Sequence, residues 1–331
     1  MLLAGDVGGT KTLLGIFSPR ETRPVPVRIE TFATSEFGGL DSMIAEFLAG
    51  PGHESEPLEA ACFGVAGPVI AQVAHLTNVP WAVDAAEIGR RFSIARVRLL
   101  NDLEAMAHSV PVLEPGELAL LQEGRRDPTG NAALIAAGTG LGEALLHNVD
   151  GRLVPSPTEG GHADFAARTP EEIALLQTLT RLHGRVDNEH VVSGPGLVNI
   201  HRALHPEGCA EVDPAVDPHE APAVISRAAM EKRCPRCVDT FNLFVAAYGA
   251  EAGNLALRGL ATAGLYVGGG IAPKILPALE SGPFMDAFRA KPPMADLLAS
   301  IPVSVILNPQ AGLLGASVHA NALARQRADR L

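Results

Sequence analysis

A glycine-rich turn near the start of the chain, Asp6-Val7-Gly8-Gly9-Thr10-Lys11, has the composition of a phosphate-binding loop. Glycine lets successive backbone amides turn inward and lets phosphate oxygens approach them closely. The turn is not a P-loop, because Thr10 stands where that motif has glycine and a strand-like segment follows instead of a helix. Asp6 would face a phosphate-bound Mg²⁺ through water, since Mg²⁺ keeps part of its hydration shell. An ordinary hairpin turn is the alternative interpretation.

Two more glycine turns follow hydrophobic segments later in the chain. The turn Gly138-Thr139-Gly140 lacks the spacing of a dinucleotide fingerprint and precedes a strand-like segment. The turn Gly268-Gly269-Gly270 lies between a strand and a helix, where the missing side chains would admit a flat adenine or its ribose. Each turn alone is weak evidence. Three of them beside buried strands predict one nucleotide site between two domains.

A polar pair, Asn101-Asp102, directly follows a hydrophobic segment that ends at Leu100, and residues with helical spacing come next. A carboxylate at the carboxyl end of a strand is well placed to face a binding cleft. In that position Asp102 would accept the proton of a substrate hydroxyl as phosphoryl transfer proceeds. The alternative is that Asn101 or Asp102 only caps the following helix.

Two acidic segments in the second half have residue types that bind sugars. Glu159-Gly160-Gly161-His162 places a carboxylate and an imidazole on a small loop, and Glu189 precedes a tight turn at residues 193–196. Carboxylates and amides bind neighbouring sugar hydroxyls through paired hydrogen bonds. The alternatives are a solvated acid at Glu159 and a structural histidine at His162.

The segment Cys234-Pro235-Arg236-Cys237 is a C-x-x-C motif. A zinc site needs further ligands, but the chain has no second cysteine pair, and Cys209 is the only other cysteine in that half. No βαβ pattern of the thioredoxin type surrounds the motif. Cys234 and Cys237 are therefore interpreted as structural thiols.

The elements that must position these residues alternate between strand-like and helix-like segments, which predicts an α/β layered fold. Thr169-Pro170-Glu171-Glu172 has the pattern of a capped helix start. Residues 110–130 are rich in proline, glycine and charge, and we expect a domain crossing near their start. The strand, glycine turn and strand at 132–147 weakly echo those at 2–17, which indicates a duplicated unit.

Length, charge and cysteine content limit the class of protein. The 331 residues suggest two domains of ordinary size. Lysine plus arginine total 26 and aspartate plus glutamate total 37, and the resulting net charge of −11 argues against a general DNA or RNA binder. The apolar stretch 260–273 is too short and too interrupted by glycine to span a bilayer. So few cysteines in so long a chain fit a reducing cytoplasm.

Eight segments, spread in order over nearly the whole chain, carry a resemblance to a known family: residues 5–10, Leu76-Thr77-Asn78-Val79-Pro80-Trp81, Asn101-Asp102, 138–142, 159–162, Glu189 with 193–199, 268–271 and 308–315. Together they resemble the bacterial glucokinases of the actin-like, ribonuclease-H-like ATPase superfamily. Lys11 departs from the pattern, at a position where many relatives have asparagine. The resemblance implies an α/β, two-domain actin-like ATPase (ribonuclease-H-like) fold with an interdomain active-site cleft. The small domain would span 1–110, with a C-terminal helix at 317–331 packing back on it, and the large domain would span 111–316.

The resemblance also implies a reaction, the phosphorylation of D-glucose at its 6-hydroxyl by ATP, with glucose 6-phosphate and ADP as products, at the entry to glycolysis in the cytoplasm. Asp102 would be the catalytic base. The cofactors implied are ATP and Mg²⁺, with Asp6 meeting the Mg²⁺ through water. The residues implied to bind glucose are Asn101, Asp102, Glu159, His162 and Glu189. The residues implied to bind the nucleotide are Asp6, Gly8, Gly9, Thr10 and Lys11, then Gly138, Thr139 and Gly140, and near the adenosine Gly268, Gly269 and Gly270.

Partners and two rival functions complete the expectations. Relatives of this kind are typically homodimers, and no nucleic-acid or membrane partner is implied. The first rival is a kinase for mannose, fructose or an amino sugar, since the acidic sugar loop is compatible with several hexoses. The second rival is a regulator that binds glucose without turnover. A DNA-binding regulator would need an added helix-turn-helix, and the net charge of −11 disfavours that role.

Overall fold

The structure, a computed structural model, describes residues 1–50, 56–76, 79–212, 217 and 220–326. Thr77 and Asn78 of the segment 76–81, and 327–331 of the expected C-terminal helix, lie outside the described residues. The chain divides into two compact units. Unit 1 comprises Met1–Pro115 and Asn308–Leu331, and unit 2 comprises Gly116–Leu307. The domain boundaries expected at 110 and 316 stay a prediction.

Four of the described helices, α2 to α5, begin at a residue whose side chain caps them. Thr169 caps the fourth helix as its sequence predicts, since its Oγ1 accepts the N–H of Glu172 at 3.2 Å. Among the described residues, no helix combines the length and the apolar character that a membrane span requires. In chain order the α-helices are α1 (Leu40–Ala49), α2 (Ala85–Phe92), α3 (Asp102–Ser109), α4 (Pro170–His183), α5 (Gly194–Leu204), α6 (Ala221–Met230), α7 (Pro235–Gly259), α8 (Leu276–Glu280), α9 (Pro283–Arg289), α10 (Ala295–Ser300) and α11 (Ala311–Arg325).

Unit 1 is built on a mixed five-stranded sheet. The strands of unit 1 are β1 (Leu2–Val7), β2 (Lys11–Ser18), β3 (Val25–Ala33), β4 (Ala60–Val65), β5 (Val69–Ile70), β6 (Val73–His75), β7 (Ala82–Asp84) and β8 (Val97–Asn101). The order is β3-β2-β1-β4-β8, in which β1 runs antiparallel to β2 and parallel to β4. The strands β5, β6 and β7 form a separate antiparallel sheet. Because β4 is buried along its whole length, its sequence is a continuous apolar run.

Unit 2 repeats this strand connectivity. Its strands are β9 (Leu118–Gln122), β10 (Ala132–Ala137), β11 (Leu141–Val149), β12 (Arg152–Thr158), β13 (Gly264–Gly268) and β14 (Val303–Ile306). The order is β12-β11-β10-β13-β14-β9, and β10 runs antiparallel to β11 and parallel to β13. In each unit, therefore, a strand, a glycine turn and an antiparallel strand are followed by a parallel neighbour. The duplicated unit predicted from the sequence is confirmed in its topology.

Two helices hold the ends of the strands on which the candidate site depends. In unit 1, α11 packs against β1, β4 and α3 through small apolar side chains such as Ala316 and Ala320. This helix begins at Ala311 and ends at Arg325. In unit 2, α7 carries the fully buried Tyr248, whose hydroxyl accepts the N–H of Ala137 at 3.2 Å. The last residue of β10 is therefore fixed just before the second glycine turn.

Candidate active site

The first glycine turn links β1 to β2, and Thr34 holds it from one side. The N–H of Gly8 donates to the carbonyl of Lys11 at 3.1 Å. The hydroxyl of Thr34 donates to the carbonyl of Gly8 at 2.8 Å, and its N–H donates to the carbonyl of Thr10 at 3.0 Å. Thr34 is buried, whereas Thr10 and Lys11 are exposed. The turn thus has a braced inner side and an exposed edge with a lysine ammonium, which suits phosphate binding.

Asp6 lies near the end of β1, half-buried, with Gly312 of α11 against its carboxylate. Burial and, to a lesser extent, the charge of Asp102 raise the pKa of Asp6 to about 6, although the ammonium of Lys11 opposes both effects. A carboxylate that burial and a like charge both penalise is stabilised by a cation. The carboxylate of Asp6 therefore suits Mg²⁺, which prefers carboxylate oxygens and water.

In the pair Asn101-Asp102, the two residues take different positions: Asn101 caps α3, and Asp102 is the first residue of that helix. The side-chain oxygen of Asn101 caps α3, accepting the N–H groups of Leu103 at 2.9 Å and Glu104 at 3.3 Å. The side-chain amide of Asn101 donates to the carbonyl of Gly67 at 3.3 Å. Asp102 is the first residue of α3 and is exposed, with one carboxylate oxygen 2.8 Å from the N–H of Leu103. The cap interpretation is thus confirmed for Asn101, while the carboxylate of Asp102 stands at the carboxyl end of β8.

The loop Glu159-Gly160-Gly161-His162 follows β12 and forms a 3₁₀ turn at Gly160–His162. The N–H of Glu189 donates to the carbonyl of Gly161 at 2.9 Å, which joins the two predicted sugar-binding segments. A side chain on Gly161 would overlap the carbonyl oxygen of Leu141, so that only glycine fits at this position. The loop is therefore held in place by the segment that contains Glu189 and by the start of β11.

Glu189 makes a contact that its sequence position does not predict. One of its carboxylate oxygens accepts the N–H of Leu141 at 2.9 Å, directly after the second glycine turn. The same turn receives the N–H of Gly194, which donates to the carbonyl of Gly138 at 2.9 Å. Glu189 therefore braces the candidate phosphate-binding turn as well as lying beside the sugar loop.

The third glycine turn meets the second at Ala137. Gly269 has φ +83°, in the left-handed region that favours glycine, and a Cβ there would lie 2.5 Å from the carbonyl oxygen of Ala137. The N–H of Ile271 donates to that same oxygen at 3.3 Å. Unit 2 thus brings together four of the predicted segments: 138–142, 159–162, 189–196 and 268–271.

A buried carboxylate that the sequence did not single out orients His162. Asp187 is 6% exposed, and its Oδ2 lies 3.1 Å from Nδ1 of His162. The hydrogen bond to Asp187 raises the pKa of His162. Burial raises the pKa of Asp187, but hydrogen bonds from His190 and His162 outweigh it and hold that pKa below its usual value. The contact places the Nδ1 proton of His162 toward Asp187 and turns Nε2 to the opposite side of the ring.

Asp187→Asn should lower the pKa of His162 toward its ordinary value, because the hydrogen-bonded carboxylate that raises it is removed. Two-dimensional NMR of the histidine rings over a pH series measures this shift directly. The control is Asp150→Asn, in the exposed β11–β12 turn, which should leave His162 unchanged. An unchanged pKa of His162 in Asp187→Asn would show that the contact does not determine its protonation.

Glu143 on β11 is a second group that sequence reasoning missed. It is 1% exposed, and a side chain on Gly160 would collide with its carboxylate. Burial raises the pKa of Glu143, the neighbouring Glu251 raises it further, and Arg258 opposes the shift. The side chain of Glu143 therefore packs directly against the loop at residues 159–162. The alternating pattern of a strand gave no sign of a buried acid here.

Comparison with known proteins adds evidence over the whole chain. The family model described as Glucokinase matches residues 3–323. The chain is 40% identical to a glucokinase of Nostoc sp. (strain PCC 7120), over 96% of this chain and 98% of the relative. It is 39% identical to a glucokinase of Synechocystis sp. (strain PCC 6803), over 96% of both chains.

Solved structures show the same fold. The crystal structure of glucokinase from an Antarctic psychrotroph has a TM-score of 0.85 and 30% identity, over 97% of this chain and 98% of that chain. A ROK family glucokinase from Streptomyces griseus, solved in complex with glucose and AMPPNP, has a TM-score of 0.63 over 97% of this chain and 99% of that chain. At 23% identity, the second similarity concerns the fold alone.

Proposed function

Because the chain belongs to the glucokinase family, we propose that it transfers the terminal phosphate of ATP to the 6-hydroxyl of glucose, giving glucose 6-phosphate and ADP. The observation that carries this proposal is the position of Asp102. Its exposed carboxylate stands at the carboxyl end of β8, on a helix whose cap is already supplied by Asn101. This position at the end of a strand suits a general base, in a chain that the glucokinase family matches over residues 3–323.

Asp102 acts as the general base in this proposal. As the 6-oxygen of glucose attacks the γ-phosphorus, the new oxygen–phosphorus bond forms and the bond to the β,γ-bridging oxygen of ATP breaks. The hydroxyl proton passes to the carboxylate of Asp102, and ADP leaves with the electron pair of the broken bond. A carboxylate in this role contributes about 10²–10⁴-fold to the rate.

The glucose ligands we propose are Asn101 and Asp102 in unit 1 and Glu159, His162 and Glu189 in unit 2. Asn101 uses its oxygen to cap α3, so its side-chain amide is the group that serves a sugar hydroxyl. His162 has its tautomer set by Asp187, and Glu189 has one oxygen in use by the N–H of Leu141. These contacts fix the direction of the remaining donors and acceptors before glucose binds, which lowers the entropic cost of binding.

For the nucleotide, we propose that the first two glycine turns hold phosphates and the third lies near the adenosine. The exposed Lys11 adds a positive charge to the first turn. Asp6 fits a water-mediated contact with Mg²⁺, because its carboxylate is penalised by burial and by Asp102 until a cation joins it. When bound with ATP, Mg²⁺ neutralises the charge that develops on the phosphates.

Three broader features belong to the same proposal. The shared strand connectivity of the two units supports the actin-like, ribonuclease-H-like ATPase fold. We expect the enzyme to work in the cytoplasm, where ATP is available. The low cysteine content is consistent with that reducing compartment. A homodimer is the assembly that we expect, and sedimentation of the purified chain would measure it.

A coupled assay with the purified chain, Mg-ATP and a panel of hexoses tests the function. We expect ADP and glucose 6-phosphate to form in equal amounts from glucose, and the reaction to stop when Mg²⁺ is omitted. Turnover of another hexose without turnover of glucose would contradict the substrate assignment. Saturable glucose binding without turnover of any hexose would instead support the alternative function, a regulator that binds glucose without phosphorylating it.

A further inference from the structure

Three cysteines of unit 2 that are far apart in sequence lie together in the structure. The Sγ atoms of Cys209, Cys234 and Cys237 all lie within 4.8 Å of one another, and those of Cys209 and Cys237 are 3.7 Å apart. Cys234 and Cys237 are buried, Cys209 is half-buried, and all three are free thiols. The fold therefore supplies the C-x-x-C motif with a third sulfur.

We propose that these three thiolates bind one zinc ion. Tetrahedral zinc holds each sulfur at about 2.3 Å, which places two ligand sulfurs about 3.8 Å apart. The 3.7 Å between Cys209 and Cys237 matches that spacing, whereas a disulfide needs about 2.05 Å. A disulfide would also use two thiols and leave the third without a role. The earlier interpretation as structural thiols counted ligands along the sequence, where Cys209 is distant from the pair.

The first turn of α7 carries two of the three sulfurs. Cys234 occupies the N-cap of this 25-residue helix, and Cys237 lies three residues later on the same turn. The positive end of the helix dipole lies at this turn, and a bound zinc ion itself favours the thiolate form of the cysteines that it binds.

The loop that carries Cys209 is already attached to the same turn. The guanidinium of Arg236, between the two cysteines of the motif, donates to the carbonyl of Gly208 and pairs with Glu207 at 3.5 Å. Three thiolates leave one tetrahedral position for a further ligand.

The proposed zinc would have a structural role. It would tie the loop at 205–209 to the start of α7, and Tyr248 of α7 supports the end of β10 before the second glycine turn. Metal binding of this type stabilises the folded state, because the unfolded chain does not hold the ligands together. The proposal does not rest on the kinase assignment, so each can fail without the other.

Metal analysis of the full chain, purified without chelators from cells supplied with zinc, tests the proposal. We expect about one zinc per chain by plasma mass spectrometry. Cys209→Ser should lose stoichiometric zinc. The control Cys62→Ala, which removes the buried cysteine of unit 1, should retain it.

A second measurement covers the case in which Cys209→Ser does not fold. Wild-type protein is stripped of metal under reducing conditions and titrated with Co²⁺. We expect one equivalent to give the intense thiolate-to-metal charge-transfer absorption, zinc to displace it, and zinc to raise the Tm. Wild-type protein that contains no zinc and takes up neither metal when reduced would overturn the proposal. A disulfide between any two of the three cysteines in protein freshly isolated from the cytoplasm would overturn it as well.

Discussion

Replacing Asp102 with asparagine should lower kcat by about 10²–10⁴-fold, the usual contribution of a general base. Asparagine keeps the shape of the side chain, and its oxygen still accepts the N–H of Leu103, so α3 should begin at the same residue. The variant loses only the group that takes the proton of the 6-hydroxyl. Nucleotide binding should largely survive, since the glycine turns are unchanged. Steady-state kinetics at saturating glucose and Mg-ATP, with calorimetry of nucleotide binding, measure both effects.

The matched control for this variant is Glu104→Gln. Glu104 lies two residues later in α3 and is a half-buried carboxylate that is not among the proposed ligands. We expect its kcat to stay close to that of the wild type. A near-normal kcat in Asp102→Asn would contradict the assignment of the base, whatever the substrate.

Glu189→Ala should weaken the binding of both glucose and ATP, because one carboxylate oxygen is proposed to bind glucose and the other accepts the N–H of Leu141. Loss of a hydrogen bond to a charged group costs about 1.5–3 kcal/mol, which corresponds to a rise of roughly 10–100-fold in the KM for glucose. The N–H of Leu141 also loses its partner after the second glycine turn. A cost of about 1 kcal/mol there should raise the KM for ATP roughly 5-fold. Initial rates with each substrate varied in turn separate the two effects.

Glu171→Ala is the control for this pair of effects. Glu171 is an exposed acid in the first turn of α4, and its loss should change neither KM. If Glu189→Ala raises the KM for glucose alone, the contact with Leu141 does not support the nucleotide. If neither KM changes, Glu189 is not a ligand of the reaction.

The strands and turns could be predicted from the sequence because their signals are local. The glycines that follow β1 and β10, and the cap at Thr169, lie within a few residues of the elements they define. The topology of unit 2 repeats that of unit 1, so a pattern recognised at 2–17 also applies at 132–147. The family resemblance then identified which of several polar residues to consider as ligands.

The contacts that orient these residues could not be predicted in the same way. His162 and Asp187 are 25 residues apart, and nothing in their spacing links them. Cys209 joins the C-x-x-C motif only because α5 and the loop after it fold back on the first turn of α7. The bond from Leu141 to Glu189 likewise depends on the packing of two segments 48 residues apart. Such pairs arise from tertiary packing, which a single sequence does not reveal.

Product analysis is the most direct test of the claim that this chain phosphorylates glucose at its 6-hydroxyl. The purified chain is incubated with Mg-ATP and an equimolar mixture of glucose, mannose and fructose, and the products are followed by phosphorus–proton correlated NMR. We predict one phosphate ester, with its phosphorus coupled to the protons on carbon 6 of glucose and formed in equal amount with ADP. An ester at another position or mainly on another hexose would contradict the account, as would ADP accompanied only by inorganic phosphate.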